Sequence, residues 1–93
     1  MSIKDRVALV TGGGRGVGKG ISLSLGAAGA SVAVNYRRDE ESASETVREI
    51  EALGGKAIAF SASIDDYEQN AQMVADIERD LGPVSILVNL SLI

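Results

Sequence analysis

Six of the nine residues from Gly12 to Gly20 are glycine, in a stretch that reads GGGRGVGKG. Such a segment lets the backbone approach a ligand closely, and its peptide N–H groups are suited to holding phosphate oxygens. A P-loop would require Ser or Thr after Gly-Lys to bind magnesium, and Gly20 offers no hydroxyl after Lys19. The stretch fits a different phosphate-binding spacing, Thr-Gly-x-x-x-Gly-x-Gly, which is carried by Thr11, Gly12, Gly16 and Gly18.

The glycines of this spacing have separate geometric tasks. Gly12 allows a tight turn after a strand, Gly16 lets the backbone approach a phosphate, and Gly18 lets a helix pack closely on the strand. A structural turn that holds no ligand is the alternative interpretation. A strand before the glycines and a helix after them favour binding, because a helix N-terminus attracts phosphate. We therefore predict a phosphate-binding turn that also includes Gly14, Arg15 and Val17.

The apolar residues around this turn alternate between strand and helix patterns. Short apolar runs predict strands at residues 6–10, 31–36, 56–60 and 84–89, and the first of them is expected to be buried. Stripes at helical spacing predict three helices between them, through Val17, Ile21 and Leu25, through Ala43, Val47, Ile50 and Leu53, and through Val74, Ile77 and Leu81. This βαβαβαβ order with almost continuously apolar strands predicts an α/β fold. We expect a Rossmann-type doubly wound parallel sheet with the strand order 3-2-1-4 and helices on both faces.

Length and composition limit the classes of function. The chain has 93 residues, enough for one domain or a piece of one, and its net charge is −4. This acidic balance gives no electrostatic reason to expect nucleic acid or an anionic membrane as a partner. The absence of Cys and His removes disulfides, thiolate metal sites and the commonest general base. Without Cys or His we expect no metal site. The apolar run before the glycines is too short to span a membrane, so we expect a cytoplasmic protein.

Two stretches resemble a known family. TGGGRGVG is similar to the cofactor fingerprint of short-chain dehydrogenases/reductases, and GPVSILVN resembles the segment before that family's Asn-Asn-Ala-Gly motif. The family resemblance extends to Asn89, and residues 8–41 look especially like bacterial 3-oxoacyl-[acyl-carrier-protein] reductases and their relatives. The resemblance implies that residues 1–93 form the NADP-binding half of such an enzyme, which acts on a small-molecule carbonyl substrate and assembles as a homo-oligomer.

The end of the second predicted strand bears on the choice between NAD and NADP. NAD enzymes place Asp or Glu there to bind the ribose hydroxyls, whereas a carboxylate would repel the 2′-phosphate of NADP. Here the strand ends at Tyr36 and continues with Arg37 and Arg38, and Arg15 can approach from the glycine turn. We therefore expect NADP, with Arg37 as the main phosphate contact. In the alternative, Arg37 and Arg38 only begin a solvated helix and pair with the glutamates after Asp39.

The resemblance also implies contacts for the rest of the cofactor. Relatives hold adenine with an Asp-Val pair after the third strand, and the matching pair here is Ser63-Ile64. Asn89 would face the cofactor ribose. The alternatives are that Ser63 is only a loop residue and that Asn89 only satisfies backbone groups at a strand end. Another family Asp, before ILVN, is replaced by Ser85, so we expect somewhat weaker adenine binding.

The family's catalytic residues have no counterpart in the sequence. After Asn89 the chain reads Leu90-Ser91-Leu92-Ile93 instead of Asn-Ala-Gly, and the family's catalytic Ser and Tyr-x-x-x-Lys are missing. Bulky side chains at Leu90 and Leu92 should spoil the approach of nicotinamide to the backbone. Two hypotheses follow. The chain is the cofactor-binding part of an NADPH-dependent carbonyl reductase, or it is a stand-alone, non-catalytic dinucleotide-binding or interaction module.

Overall fold

The computed structural model describes residues 3–90, which alternate strictly between strands and helices. The elements in chain order are β1 (Val7–Thr11), α1 (Gly16–Ala27), β2 (Ser31–Tyr36), α2 (Glu40–Ala52), β3 (Lys56–Ser61), α3 (Tyr67–Asp80) and β4 (Val84–Asn89). All seven predicted elements are present. The first strand lies one residue further along than predicted, and the third extends one residue further, to Ser61.

The four strands form one parallel sheet in the order β3-β2-β1-β4. Val10 lies between Val34 of β2 and Val88 of β4, and Val34 in turn pairs with Ala59 of β3. The predicted Rossmann-type fold and strand order are confirmed. Because all the strands run the same way, their carboxyl ends meet at one edge of the sheet, where ligands bind in open α/β folds.

The core has two layers, one on each face of the sheet, because successive strand residues point to opposite faces. Leu9 packs with the α3 residues Met73 and Ile77, whereas its neighbour Val10 packs with the α2 residue Ile50. Every residue of β1 is buried, which explains its continuous apolar sequence. The sheet is therefore covered by α1 and α2 on one face and by α3 on the other.

The predicted apolar stripe of α1 is wrong at its first member. Val17 is 74% exposed, and the buried residues of the helix are Gly18, Ser22 and Gly26. A Cβ atom at Gly26 would lie 2.7 Å from the Cγ2 atom of Ile50 in α2. Small residues are needed on this face because the backbone of α1 approaches its neighbours closely, and the larger apolar side chains flank the contact.

The other two helices also differ from prediction at single positions. Leu53 follows the last residue of α2 and is 61% exposed, and in α3 Val74 is exposed whereas its neighbour Met73 is buried. Both α2 and α3 begin with an aspartate cap: Asp39 accepts a hydrogen bond from the Ser42 N–H, and Asp66 caps α3 in the same way. Within residues 3–90, no helix is long and apolar enough to cross a membrane.

Candidate cofactor-binding site

The glycine turn joins β1 to α1 at the carboxyl edge of the sheet. Gly12 and Gly16 have φ angles of 65° and 59°, a backbone conformation that L side chains rarely adopt. A Cβ atom at either position would meet nothing within 4 Å, so conformation and not crowding requires glycine there. Arg15, the residue before α1, makes no side-chain cap. The first N–H groups of the helix therefore lack a side-chain acceptor and are suited to an anion.

The remaining glycines of the turn are required by close packing. A Cβ atom at Gly18 would fall directly onto the carbonyl oxygen of Gly12, and one at Gly14 would lie 2.9 Å from the Cα atom of Ala43 in α2. Gly18 thus permits the close approach expected of it, but to the turn itself and not to a strand side chain. The turn is fixed between α1 and α2.

Asn35, which the sequence analysis did not single out, holds the turn from inside the sheet. Its side chain is buried, and its Oδ1 atom accepts a hydrogen bond from the N–H of Gly12 at 3.3 Å. Its Nδ2 atom donates to the carbonyl oxygens of Phe60 and Ala62 at 3.4 and 3.2 Å. A polar residue inside the apolar run SVAVNY was the sequence signal for this role.

Two buried hydroxyl groups hold the turn from the helix side. Ser22 of α1 donates to the carbonyl oxygen of Gly13 at 3.1 Å, and Thr46 of α2 donates to that of Gly14 at 2.9 Å. Neither role was predicted from the sequence, because an isolated Ser or Thr in an amphipathic helix resembles a solvent-facing position. With Asn35, which accepts from the Gly12 N–H, they satisfy three polar groups on the inner side of the turn.

A cavity of about 540 Å³ lies between the glycine turn, the end of β2 and the start of α2. Its walls bring together six of the predicted site residues: Gly12, Gly14, Arg15, Tyr36, Arg37 and Arg38. Asn35, Asp39 and Ser42 complete the lining. The structure therefore brings the glycine turn together with the arginines that follow β2, as the cofactor hypothesis requires.

Positive charge predominates around this cavity. Its lining holds three arginines and one carboxylate, that of Asp39. The Nη1 atom of Arg15 lies 3.5 Å from the Oδ2 atom of Asp39, and both side chains are substantially exposed. Among residues 3–90, neither Arg37 nor Arg38 forms an ion pair. The cavity thus suits an anionic ligand.

Hydrogen bonds set the ionisation of two groups in the cavity wall. The Ser42 N–H and then the Ser42 hydroxyl lower the pKa of Asp39, and Arg15 adds to this effect. Burial and then a hydrogen bond to Glu40 raise the pKa of Tyr36, whose hydroxyl donates to the Glu40 Oε2 atom at 3.0 Å. At neutral pH Asp39 is therefore an anion and Tyr36 a neutral phenol.

The other predicted site residues lie outside the cavity lining. Gly16, Val17 and Gly18 begin α1. The N–H of Ser63 donates to Gln69 Oε1 at 2.8 Å, and Ile64 packs against the core on the α3 face. These contacts leave the predicted adenine role untested.

Asn89 lies at the carboxyl edge of the sheet, in register with Thr11. Its Oδ1 atom accepts a hydrogen bond from the Thr11 hydroxyl at 3.1 Å. The Thr11 Oγ1 atom in turn accepts from the Leu90 N–H at 2.8 Å. Thr11 therefore ties the ends of β1 and β4 together beside the turn. The predicted clash of Leu92 with nicotinamide concerns a residue outside the described part of the chain.

The two tyrosines within residues 3–90 lie in different surroundings. The Tyr36 hydroxyl is bound to Glu40, and Tyr67, at the start of α3, is 83% exposed. Within the same range, no group of three or more His, Cys, Asp or Glu residues could hold a metal ion. The candidate binding groups described above lie in the glycine turn and in the cavity beside it.

Comparison with known proteins places the chain in a family. The family model for short chain dehydrogenases matches residues 6–91. The chain is 44% identical over 89 residues to the short-chain dehydrogenase/reductase homolog YusS of Bacillus subtilis, covering 96% of this chain and 82% of that protein. It is 41% identical over 91 residues to a hydroxynaphthalene reductase of Aspergillus fumigatus, covering 98% of this chain and 33% of that protein.

A solved structure matches as well. A short chain dehydrogenase from Burkholderia cenocepacia in complex with NADP superposes with a TM-score of 0.89 at 40% identity, covering 96% of this chain and 36% of that one. The chain belongs to the short-chain dehydrogenase family. It spans about a third of the length of the Aspergillus and Burkholderia relatives.

A nicotinamide dinucleotide, the cofactor that the family implies, fits the site by two observations of this structure. The turn has open backbone at Gly12 and Gly16 and uncapped N–H groups at the start of α1, which suit a pyrophosphate. The adjacent cavity is lined by guanidinium groups, which suit a further phosphate.

Proposed function

We propose that this chain is the NADP-binding half of an NADPH-dependent short-chain oxidoreductase, which reduces the carbonyl group of a 3-oxoacyl compound or similar ketone to an alcohol. One observation carries the choice of NADP: Arg15, Arg37 and Arg38 line one cavity at the end of β2, where the strand ends in Tyr36 and not in a carboxylate. Guanidinium groups bind phosphate through several N–H donors, and a 2′-phosphate is what distinguishes NADP from NAD.

Each part of the site has a role in this proposal. The N–H groups of the turn and of the first turn of α1 hold the pyrophosphate. Arg37 and Arg15 hold the 2′-phosphate, and Arg38 adds positive charge. Ser63 and Ile64 contact adenine, and Asn89 contacts the ribose. The bound NADPH supplies the hydride, and the residues that donate the proton and orient the carbonyl belong to the part of the parent enzyme that this chain lacks.

Two comparisons support the proposal. The Burkholderia relative was crystallised in complex with NADP, and the Aspergillus relative is named a hydroxynaphthalene reductase. Both proteins extend well beyond the part that this chain matches. We further expect a cytoplasmic parent that assembles with other copies of itself, as the family resemblance implies.

Titration of the chain with NADP⁺ and NAD⁺ tests the choice of cofactor. We expect tighter binding of NADP⁺, and we expect Arg37→Ala to weaken that binding by about tenfold or more, since a charged hydrogen bond contributes about 1.5–3 kcal/mol. NAD⁺ binding should hardly change. Arg48→Ala is the matched control, because Arg48 is an exposed arginine of α2 outside the cavity lining. Equal affinity for the two cofactors in the unmodified chain would refute the assignment.

A stand-alone dinucleotide-binding or interaction module is the second candidate function. It is supported by the Bacillus subtilis relative, of which this chain covers 82%. The encoding reading frame and the intact mass of the purified protein distinguish the two. A mass well above 9.6 kDa favours the reductase half, whereas a native stop codon after Ile93 favours the module.

A further inference from the structure

Asp39 has two roles in the cavity wall that the proposed cofactor site does not explain. Its Oδ1 atom accepts a hydrogen bond from the Ser42 N–H at 3.0 Å, which caps α2. Its Oδ2 atom accepts from the Ser42 hydroxyl at 2.8 Å and lies 3.5 Å from the Nη1 atom of Arg15. Because the helix cap fixes the direction of this carboxylate, a negative charge is held against one of the arginines proposed to bind the 2′-phosphate.

The contact between Arg15 and Asp39 is weak enough for a ligand to replace. The Arg15 side chain is 78% exposed and that of Asp39 is 39% exposed, and ion pairs in such positions add little stability. A phosphate dianion offers Arg15 more charge and more acceptor atoms than a single carboxylate does. Binding of the dianion would still have to break the contact between Arg15 and Asp39. The fixed carboxylate of Asp39 would also repel the bound phosphate.

We infer that Asp39 is a specificity-determining residue, which lowers the preference for NADP over NAD by competing with the 2′-phosphate for the guanidinium of Arg15. This inference rests on the proposed function, in which Arg15 contacts that phosphate. NAD lacks the phosphate, so its binding does not depend on the Arg15–Asp39 contact. Asp39 therefore acts through Arg15 and on one of the two cofactors.

The substitution Asp39→Asn removes the charge and keeps the helix cap. Asn is as good an N-cap residue as Asp, since its side-chain oxygen can accept from the Ser42 N–H. Its NH₂ group can donate to the Ser42 hydroxyl oxygen, which replaces the other hydrogen bond. We expect this variant of the full chain to bind NADP⁺ about three- to tenfold more tightly, with NAD⁺ affinity within about twofold of the unmodified chain.

Asp66→Asn is the matched control. Asp66 caps α3 by accepting from the Gln69 N–H at 3.1 Å, and it does not line the cavity. Its substitution removes the same charge from the same kind of helix cap, so a general effect of net charge or of helix capping would appear equally in both variants. We expect no change in the ratio of NADP⁺ to NAD⁺ affinity for Asp66→Asn.

A second comparison tests whether Asp39 acts through Arg15. In an Arg15→Gln background, Asp39→Asn should lose most of its effect on NADP⁺ binding, because no guanidinium remains for the carboxylate to occupy. Melting curves of all variants establish that they fold. A full effect in the Arg15→Gln background would overturn the competition for Arg15.

The titrations separate this inference from the proposed function. If the unmodified chain prefers NADP⁺ and Asp39→Asn leaves that preference unchanged or lowers it, the role of Asp39 is wrong and the proposed function stands. If the folded, unmodified chain binds neither nucleotide, both proposals fail. A selective gain in NADP⁺ affinity for Asp39→Asn, absent from Asp66→Asn, supports the inference.

Discussion

The side-chain oxygen of Asn35 accepts a hydrogen bond from the backbone N–H of Gly12, across 3.3 Å between β2 and the glycine turn. Asn35 also holds the next residue of the turn, since its carbonyl oxygen accepts from the N–H of Gly13 at 3.1 Å. Because Asn35 is buried, the surrounding core fixes its position. Its hydrogen bonds to the turn therefore fix the position of the turn as well. The geometry of the glycine turn thus depends on a side chain that the core of the sheet holds in place.

Replacing Asn35 should therefore weaken both folding and nucleotide binding. Asn35→Ala leaves the Gly12 N–H and the carbonyl oxygens of Phe60 and Ala62 without this partner. Unsatisfied buried groups of this kind cost about 1–3 kcal/mol, which urea unfolding would measure. Gln72→Ala, on the exposed side of α3, is the control and should change little. A loss of stability no larger than that of the control would contradict this role of Asn35.

Two glycines of α1 provide a matched pair of alanine substitutions. Gly18→Ala places a methyl group on the carbonyl oxygen of Gly12, so we expect loss of stability and of nucleotide binding. Gly20→Ala meets nothing within 4 Å. It should stabilise the chain by about 0.5–1 kcal/mol, because Ala is the better helix former. Thermal melts and NADP⁺ titrations of both variants check this difference, and similar effects at the two positions would contradict it.

The sequence predicted the strands and the position of the turn well, because both depend on local patterns. A buried parallel strand needs an apolar run, and the turn needs glycine where φ is positive, as at Gly12 and Gly16. The sequence also identified Arg15, Arg37 and Arg38, which the fold brings to one cavity. These arginines were predictable because they directly follow a predicted strand or lie in the glycine turn, so the sequence alone places them near the strand ends.

The packing of the helices was less predictable, because it depends on distances between elements. Val17 fits an apolar stripe, yet the buried face of α1 runs through Gly18 and Gly26, since α1 lies too close to its neighbours for larger side chains. The roles of Asn35 and Thr46 were missed for a related reason. Their partners are backbone atoms far away in sequence, and no local pattern shows which polar side chain will meet them.

The pKa of Asp39 leads to a prediction about acid stability. The hydrogen bonds from Ser42 and the charge of Arg15 hold this pKa, in the folded protein, below its ordinary value of 3.8. The folded state therefore favours the ionised carboxylate, and this contribution is present above the unfolded pKa and is lost as pH falls through the folded value. Asp39→Asn should lack that part of the pH dependence.

Urea unfolding between about pH 6 and about pH 3 measures this effect. The unmodified chain should lose more stability across this range than Asp39→Asn does. Ser42→Ala is a useful companion, because it removes one of the two hydrogen bonds that lower the pKa of Asp39 and should give an intermediate profile. Parallel pH profiles for the unmodified chain and Asp39→Asn would rule out the contribution.

The last prediction is that the 93-residue chain alone catalyses no carbonyl reduction. By the family resemblance, hydride transfer needs a Tyr that donates a proton, a Lys that lowers the pKa of that Tyr, and a Ser that orients the carbonyl. Tyr36 is unsuited to this task, because burial and Glu40 raise its pKa above the ordinary value of 10.0. Tyr67 is followed four residues later by Ala71 and not by Lys.

The assay follows NADPH oxidation by absorbance, with a 3-oxoacyl or diketone substrate and protein of verified mass. We expect no rate above that of a sample without protein, even at concentrations where titration shows that NADPH is bound. A longer chain that includes the missing Ser and Tyr-x-x-x-Lys should show the activity. Turnover by the 93-residue species would overturn the assignment of the catalytic residues to another part of the parent enzyme. Loss of that turnover in Tyr36→Phe would then identify Tyr36 as the proton donor.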